Sequence, residues 1–269
     1  MQIWQAIVLG LVQGLTEFLP VSSSGHIAFF ERCFGMQDIK LFFSIILHLG
    51  TLVAVCVVFW KDIIDLFKKP FKTLGFLVVA TIPAAVVGLF ADGPIEKAIN
   101  GKYFGIIIAV FFLVTAIVLF VTEMVVKRRK NELPLCWKTV LPMAFAQAVA
   151  VIPGISRSGS TICAGTLAGA KSEEVAKFSF LMSIPVILGS FVVSLAKGLY
   201  KGEIQQEFAA NGATYGWAIA LGFIISVIAG LFAIKVMLKV IQKANYKWFS
   251  LYLVLLAVVC VVLHFCYFN

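Results

Sequence analysis

The chain has 269 residues, of which 61% are hydrophobic and only 13% charged. A water-soluble domain has no way to hide that much apolar surface, whereas a bilayer does, so the composition excludes a soluble globular protein and points to one polytopic membrane domain. The net charge of +9, from 22 basic and 13 acidic residues, is read in such a chain as a topology signal before anything else.

In chain order, the first apolar stretch covers roughly residues 2–30 and is broken near its middle by Leu19-Pro20 and a serine run. Proline and the residue before it resist continuing a helix. This predicts helix, loop, helix, entering and leaving the membrane on one side. Spans are expected next at roughly 41–60, 74–91 and 103–126, each near the length of about 20 residues that a bilayer needs. A basic connector, 127–138, follows. A second broken stretch at roughly 139–169 carries Ile152-Pro153-Gly154, and further spans are expected at roughly 178–196, 214–234 and 248–268. Six cysteines (Cys33, Cys56, Cys136, Cys163, Cys260, Cys266) show no paired spacing and are read as small hydrophobes. No lysine or arginine precedes Arg32, so no signal-peptide n-region is expected.

The two broken stretches look like copies. Setting Gln13 on Gln147 places Ser22, Ser23, Ser24 and Gly25 on Ser156, Arg157, Ser158 and Gly159. Weaker echoes pair Phe43-Ser44 with Phe178-Ser179, and Gly88-Leu89-Phe90 with Gly230-Leu231-Phe232. The expected fold is therefore an all-α integral membrane protein with an inverted-topology repeat: six transmembrane helices plus two re-entrant helix-loop-helix segments. The halves are 1–126 and 139–269. Three spans per half is an odd number, so the second half must lie inverted and the two loops can meet near the midplane.

Lysine and arginine set the orientation. One side receives Lys61, Lys68, Lys69, Lys72, the run Lys127-Arg128-Arg129-Lys130, Lys138, Lys171, Lys177, Lys235, Lys239, Lys243 and Lys247. The other receives Arg32, Lys40, Lys97, Lys102, Lys197 and Lys201. The first side is expected to be cytoplasmic, with both termini outside. The basic run then reads as a topology signal and an anionic-lipid contact, not a nucleic-acid patch.

Ionisable groups inside apolar sequence are costly, and their default reading is a functional site. Glu17 needs a proton, a cation or a metal to be carried there. Gln13 lies four residues earlier, on the same helix face. One carboxylate and one amide suit Mg²⁺ or Ca²⁺ held mainly by substrate phosphate and water. The bland alternative is a protonated Glu17 bonded between helices. Ser22, Ser23 and Ser24 open a new helix, where serines are ordinary caps but where free N–H groups also receive phosphate. Ser23 and His26 are three apart and can form a hydroxyl–imidazole nucleophile pair. His26 can also attack phosphorus itself or protonate a leaving oxygen. Arg157 offers a planar fork for phosphate, with Ser156, Ser158 and Thr161 as hydroxyl donors and Gly154 allowing close backbone approach. The alternative is an Arg157–Glu17 structural bridge. Together these residues suit a phosphorylated lipid. His48 is expected to bond between helices, His264 to lie at the interface, Glu123 to be paired or snorkelling, and Gly165-x-x-x-Gly169 to be a close-packing face.

At these residues the chain resembles the bacitracin-resistance type undecaprenyl-pyrophosphate phosphatases of bacterial inner membranes. The resemblance covers essentially the full length. It rests on Gln13, Glu17, Pro20, Ser22, Ser23, Ser24, Gly25 and His26, and on P-G-x-S-R-S-x-x-T, matched in full by Pro153 to Thr161. Many members carry Glu where this chain has Gln13, which makes Gln13 a secondary metal ligand. The resemblance implies hydrolysis of undecaprenyl pyrophosphate to undecaprenyl phosphate and inorganic phosphate, dependence on a divalent cation, a site open to the periplasm, a role in recycling the peptidoglycan lipid carrier, and bacitracin resistance. It implies Glu17, Ser23, His26 and Arg157 as catalytic residues. Ser22, Ser24, Gly154, Ser156, Ser158 and Thr161 would contact substrate. Partners are the polyprenyl pyrophosphate and membrane lipids; the sequence leaves the oligomeric state open, a homodimer included. The competing class is a transporter or flippase of the same lipid, which needs Arg157 but no nucleophile.

Overall fold

The computed structural model describes residues 1–36, 41–90, 93, 101–129, 132–242 and 245–268. Lys40, Lys97, Lys130 and Lys243 of the charge count lie outside the described residues. The described chain is helical, with one isolated β-bridge between Leu133 and Ala170.

The first broken stretch is α1 (Ile3–Phe18) and α2 (Ser23–Cys33). The break falls where the sequence placed it: Leu19, ahead of Pro20, is extended at φ −72° and ψ 147°, the conformation proline imposes on its predecessor. The second is α7 (Trp137–Val149) and α8 (Arg157–Leu167).

Between and after them run α3 (Leu41–Val58), α4 (Trp60–Leu66), α5 (Lys72–Phe90), α6 (Phe104–Arg128), α9 (Ser172–Tyr200), α10 (Glu203–Gln242) and α11 (Lys247–Leu263), closed by a π-turn at His264–Phe268. Five single helices are long and apolar enough to span a bilayer, and α3 with α4 makes a sixth candidate bent by 80°. Five of the six expected spans are therefore matched by single helices, and the span expected at 41–60 by the bent pair α3–α4. The fifth is longer than its apolar core suggested, since α10 runs on to Gln242 and breaks only at Gly212 (φ 61°, ψ −160°).

Packing follows the duplication. α1 lies on α10, and its counterpart α7 lies on α5, the counterpart of α10. α3 packs on its own counterpart α9, and α6 on α11. The α1–α10 seam is built from glycines that the repeat motif does not include. A Cβ on Gly10 would stand 2.6 Å from the Gly222 carbonyl oxygen, and one on Gly14 would stand 2.5 Å from the Ala229 Cβ. Small residues four apart let helix backbones approach in this way. Gly165 is also close-packed, against Met143 and Val175, but Gly169 has φ +108° and belongs to the turn after α8 rather than to a helix face.

The other polar residues in the apolar stretches divide: Glu123 is paired as expected, whereas His48 departs from its expected contact. His48 bonds within its own helix, Nδ1 to the Ser44 carbonyl at 2.9 Å, because a ring four residues on reaches that oxygen without leaving α3. His264 is buried in the protein, packed against Gly105. Glu123 is buried and paired with Lys127. Arg129 donates to the Thr166 and Leu167 carbonyls at the end of α8; two members of the basic run, Lys127 and Arg129, thus have partners within the protein.

Candidate active site

The two loops fold back on each other at the centre. Gly25 lies against Gly154, whose Cα would be 3.0 Å from a Cβ there, while Gly159 lies against Pro20 at 3.2 Å. Under the repeat these two contacts are the same contact with the halves exchanged. The caps match as well. Ser22 accepts from the Gly25 N–H at 3.3 Å and Ser156 from the Gly159 N–H at 3.1 Å, each serine satisfying an orphan donor of the helix it opens. α2 and α8 therefore start beside one another, and the positive ends of two helices face one place.

The residue after each cap reaches Glu17. Ser23 Oγ donates to Glu17 Oε2 at 2.6 Å. Arg157 donates through NH2 to Glu17 Oε1 at 2.7 Å and through NH1 to the Ser179 carbonyl at 3.2 Å. Gln13 Nε2 donates to the same carboxylate at 3.1 Å. Glu17 is buried and Arg157 is 15% exposed, so the ion pair works in a low-dielectric setting but keeps an edge open. His48 lies within electrostatic range of Glu17 as well.

The expected Ser23–His26 pair is not formed. His26 Nδ1 bonds the Ser22 carbonyl oxygen at 2.8 Å, and Nε2 bonds the Tyr252 hydroxyl at 2.7 Å. Both nitrogens point away from Ser23 because the ring bonds back to its own helix start and across to α11.

Most hydroxyls expected to meet phosphate are already donating inside the protein. Ser158 donates to the Leu19 carbonyl at 3.0 Å, and Thr161 donates among Arg157 O, Ser158 O and Ser179. Ser156, a buried cap, lies 3.3 Å from the Ser158 hydroxyl. A hydroxyl has one proton, and a phosphate oxygen needs a donor. Gly154, at φ +95°, serves the contact with Gly25 and Phe111. Ser24 is exposed and bonds only Ser22, at 3.4 Å. The open donors are thus Ser24 and the remaining N–H groups of Arg157, while the one hydroxyl proton of Ser23 is committed to Glu17.

Thr115, Ser179 and Tyr252 were missed. Thr115 holds the second loop, donating to the Gly154 carbonyl and accepting from the Ser156 N–H, each at 3.3 Å. Such bonds make non-helical backbone tolerable at membrane depth. Their only sequence signal is a lone hydroxyl within an apolar span.

Among the described residues no three His, Cys, Asp or Glu side chains gather as a metal cage. Gln13 Oε1, however, is buried without a hydrogen-bond partner. An orphaned amide oxygen beside a carboxylate fits a hard cation that takes its remaining ligands from substrate.

An α-helical, multi-pass membrane protein whose two broken helices deliver a carboxylate, a hydroxyl and a guanidinium to one point is the class defined by this fold and site. The sequence matches the profile of the family described as "Bacitracin resistance protein BacA" over residues 6–259, and the chain belongs to that family. It is 39% identical over 265 residues to an undecaprenyl-diphosphatase of Carboxydothermus hydrogenoformans, covering 98% of each chain. It is 40% identical over 270 residues to one of Caldicellulosiruptor bescii, covering 96% of each. With one of Methanobrevibacter smithii the identity is 38% over 273 residues and 94% of each chain.

Proposed function

We infer that this chain hydrolyses undecaprenyl diphosphate to undecaprenyl phosphate and inorganic phosphate, recycling the carrier lipid of cell-wall synthesis and giving bacitracin resistance. Family membership and the relatives' activity support the substrate. The Ser23–Glu17 hydrogen bond of 2.6 Å is the observation that carries the chemistry.

Ser23 is the nucleophile and Glu17 its base. The diphosphate competes for the Arg157 guanidinium and draws it off Glu17 Oε1, which raises the basicity of the carboxylate as substrate arrives. Ser23 Oγ then attacks the terminal phosphorus while its proton passes to Glu17, and the bond to the bridging oxygen breaks with undecaprenyl phosphate leaving. Arg157 and the helix starts at Ser23 and Arg157 stabilise charge on the phosphoryl oxygens. Water next attacks the phosphoserine, Glu17 returns the proton to Ser23 Oγ as the Ser23 O–P bond breaks, and the phosphate departs with both protons of the attacking water. A divalent cation, Mg²⁺ or Ca²⁺, held by Glu17, Gln13 Oε1 and substrate oxygens, would neutralise diphosphate charge.

The same reading places the protein in a bacterial plasma membrane with both termini periplasmic, and divides it into inverted halves 1–126 and 139–269 joined by 127–138. The exchanged contacts at Gly25–Gly154 and Gly159–Pro20 support the repeat. The deciding experiment is phosphate release from undecaprenyl diphosphate by the purified protein in detergent, with and without a chelator. Cation-dependent release is expected. A folded preparation that releases none, yet moves the lipid across liposomes, would replace the enzyme by a flippase.

A further inference from the structure

We propose that Tyr252 and His26 form a positioning pair that holds Ser22 in its left-handed conformation and so aims Ser23 at Glu17, with His26 acting through the Ser22 backbone rather than on the substrate. This rests on the reading of Ser23 as nucleophile.

Ser22 has φ 68° and ψ 95°, a region strained for a residue with a Cβ that persists only where the surroundings impose it. What imposes it here is His26. A carbonyl oxygen only accepts, so the Nδ1 that lies 2.8 Å from Ser22 O carries a proton. The Ser22 carbonyl also accepts the His26 backbone N–H at 3.2 Å. Two donors from one residue thus pin one peptide group. In the neutral ring, Nε2 is then an acceptor, and the Tyr252 hydroxyl donates to it at 2.7 Å. The rings stack, with centroids 5.6 Å apart and planes 10° from parallel, and Phe112 tilts against the imidazole's surroundings with centroids 5.4 Å apart. The imidazole is held on both nitrogens and packed by two rings.

The repeat supplies an internal control. The counterpart of Ser22 is Ser156 and the counterpart of His26 is Ser160. There the backbone bond is kept, Ser160 N to Ser156 O at 2.8 Å, but no imidazole bonds the carbonyl. Ser156 lies at an ordinary φ of −72°. The left-handed cap goes with the histidine. The residue that follows the strained cap carries the short side chain that must reach Glu17 from close by; the residue that follows the relaxed one is the long Arg157. Ser23, with a single rotatable bond to its hydroxyl oxygen, depends on where its backbone is set, and Ser22 sets it.

The role assigned to His26 excludes two others. A ring whose Nδ1–H is given to a carbonyl and whose Nε2 is given to a tyrosine has neither a free lone pair for phosphorus nor a proton facing the leaving group. Asparagine then makes the discriminating substitution, since its Nδ2 sits where histidine Nδ1 does and donates to the same carbonyl, yet it is neither an acid nor a nucleophile. His26→Asn is expected to retain turnover within about tenfold of the parent, the usual scale for losing an outer-shell contact, whereas His26→Ala loses far more. Tyr252→Phe, which keeps the stacked ring, should lower kcat for undecaprenyl diphosphate about tenfold at unchanged KM, and should cost nothing further in the His26→Asn background, where no Nε2 remains to be bonded. Melting temperature is followed in parallel. An Asn variant as inactive as the Ala variant while equally well folded would overturn the proposal, as would a Tyr252→Phe loss that persists undiminished beside His26→Asn. Absence of hydrolysis by the parent protein would instead refute the proposed function.

Discussion

The buried Glu17–Arg157 pair allows stability and turnover to be separated. At 2.7 Å, two unit charges attract by about 6 kcal/mol at an effective dielectric of about 20. Desolvation of both ions offsets much of this, and deleting one partner of such a pair costs about 3–5 kcal/mol because the other is left buried and unpaired. Arg157→Ala and Glu17→Gln should each lose that much in denaturant unfolding in detergent, followed by tryptophan fluorescence. The double variant removes both charges and should recover most of the loss rather than double it. Turnover behaves differently. Arg157→Ala should lower phosphate release by at least about 10²–10³-fold, the worth of one donor to transition-state charge, and the double variant should be no more active. Additive losses of stability would show that the two residues are not coupled, and near-normal turnover in Arg157→Ala would refute the assignment of the site.

Three further outcomes are expected. Ser23→Ala should reduce turnover by at least about 10³-fold while still binding undecaprenyl diphosphate; retained turnover would remove Ser23 as nucleophile. Gly14→Val would drive a side chain into Ala229 and the Ser226 carbonyl, costing about 1–3 kcal/mol by overpacking and shifting Gln13 and Glu17, whereas Gly88→Ala, with nothing within 4 Å, should change neither stability nor rate; equal behaviour of the two would contradict the α1–α10 seam. A cysteine appended to either terminus should react with a membrane-impermeant thiol reagent in intact cells, and protection of both would reverse the orientation.

The contrast between His26 and Arg157 shows how far sequence reasoning reached. Arg157 was legible because an arginine within a Gly/Ser-rich break of an apolar run has few structural explanations. Its bond to Glu17, across a separation of 140 residues, followed only from the assumption that duplicated loops meet. His26 was legible as special, but its partner was misjudged. Helical spacing says which side chains share a face, and Ser23 and His26 do; it does not say that a carbonyl one turn back and a tyrosine on α11 will claim both nitrogens. Ser158 and Thr161 make the same point: their hydroxyl types suit phosphate, and in the packed loops both donate to acceptors inside the protein.

The sequence by itself determined what local chemistry dictates: membrane residence from apolar content, the spans from run length, the two breaks from Pro20 and Pro153, a serine cap within Ser22–Ser24, and the duplication from matching polar cassettes. The tertiary structure decided every pairing between elements. Ser23 meets Glu17 and not His26, Arg157 turns to Glu17 and Ser179, Gly10 and Gly14 seat α1 on α10, and Arg129 closes the end of α8. Those contacts depend on tenths of an ångström between helices far apart in the chain. Periodicity and composition specify which face of a helix is buried, and leave unstated which atom of another helix will be waiting there.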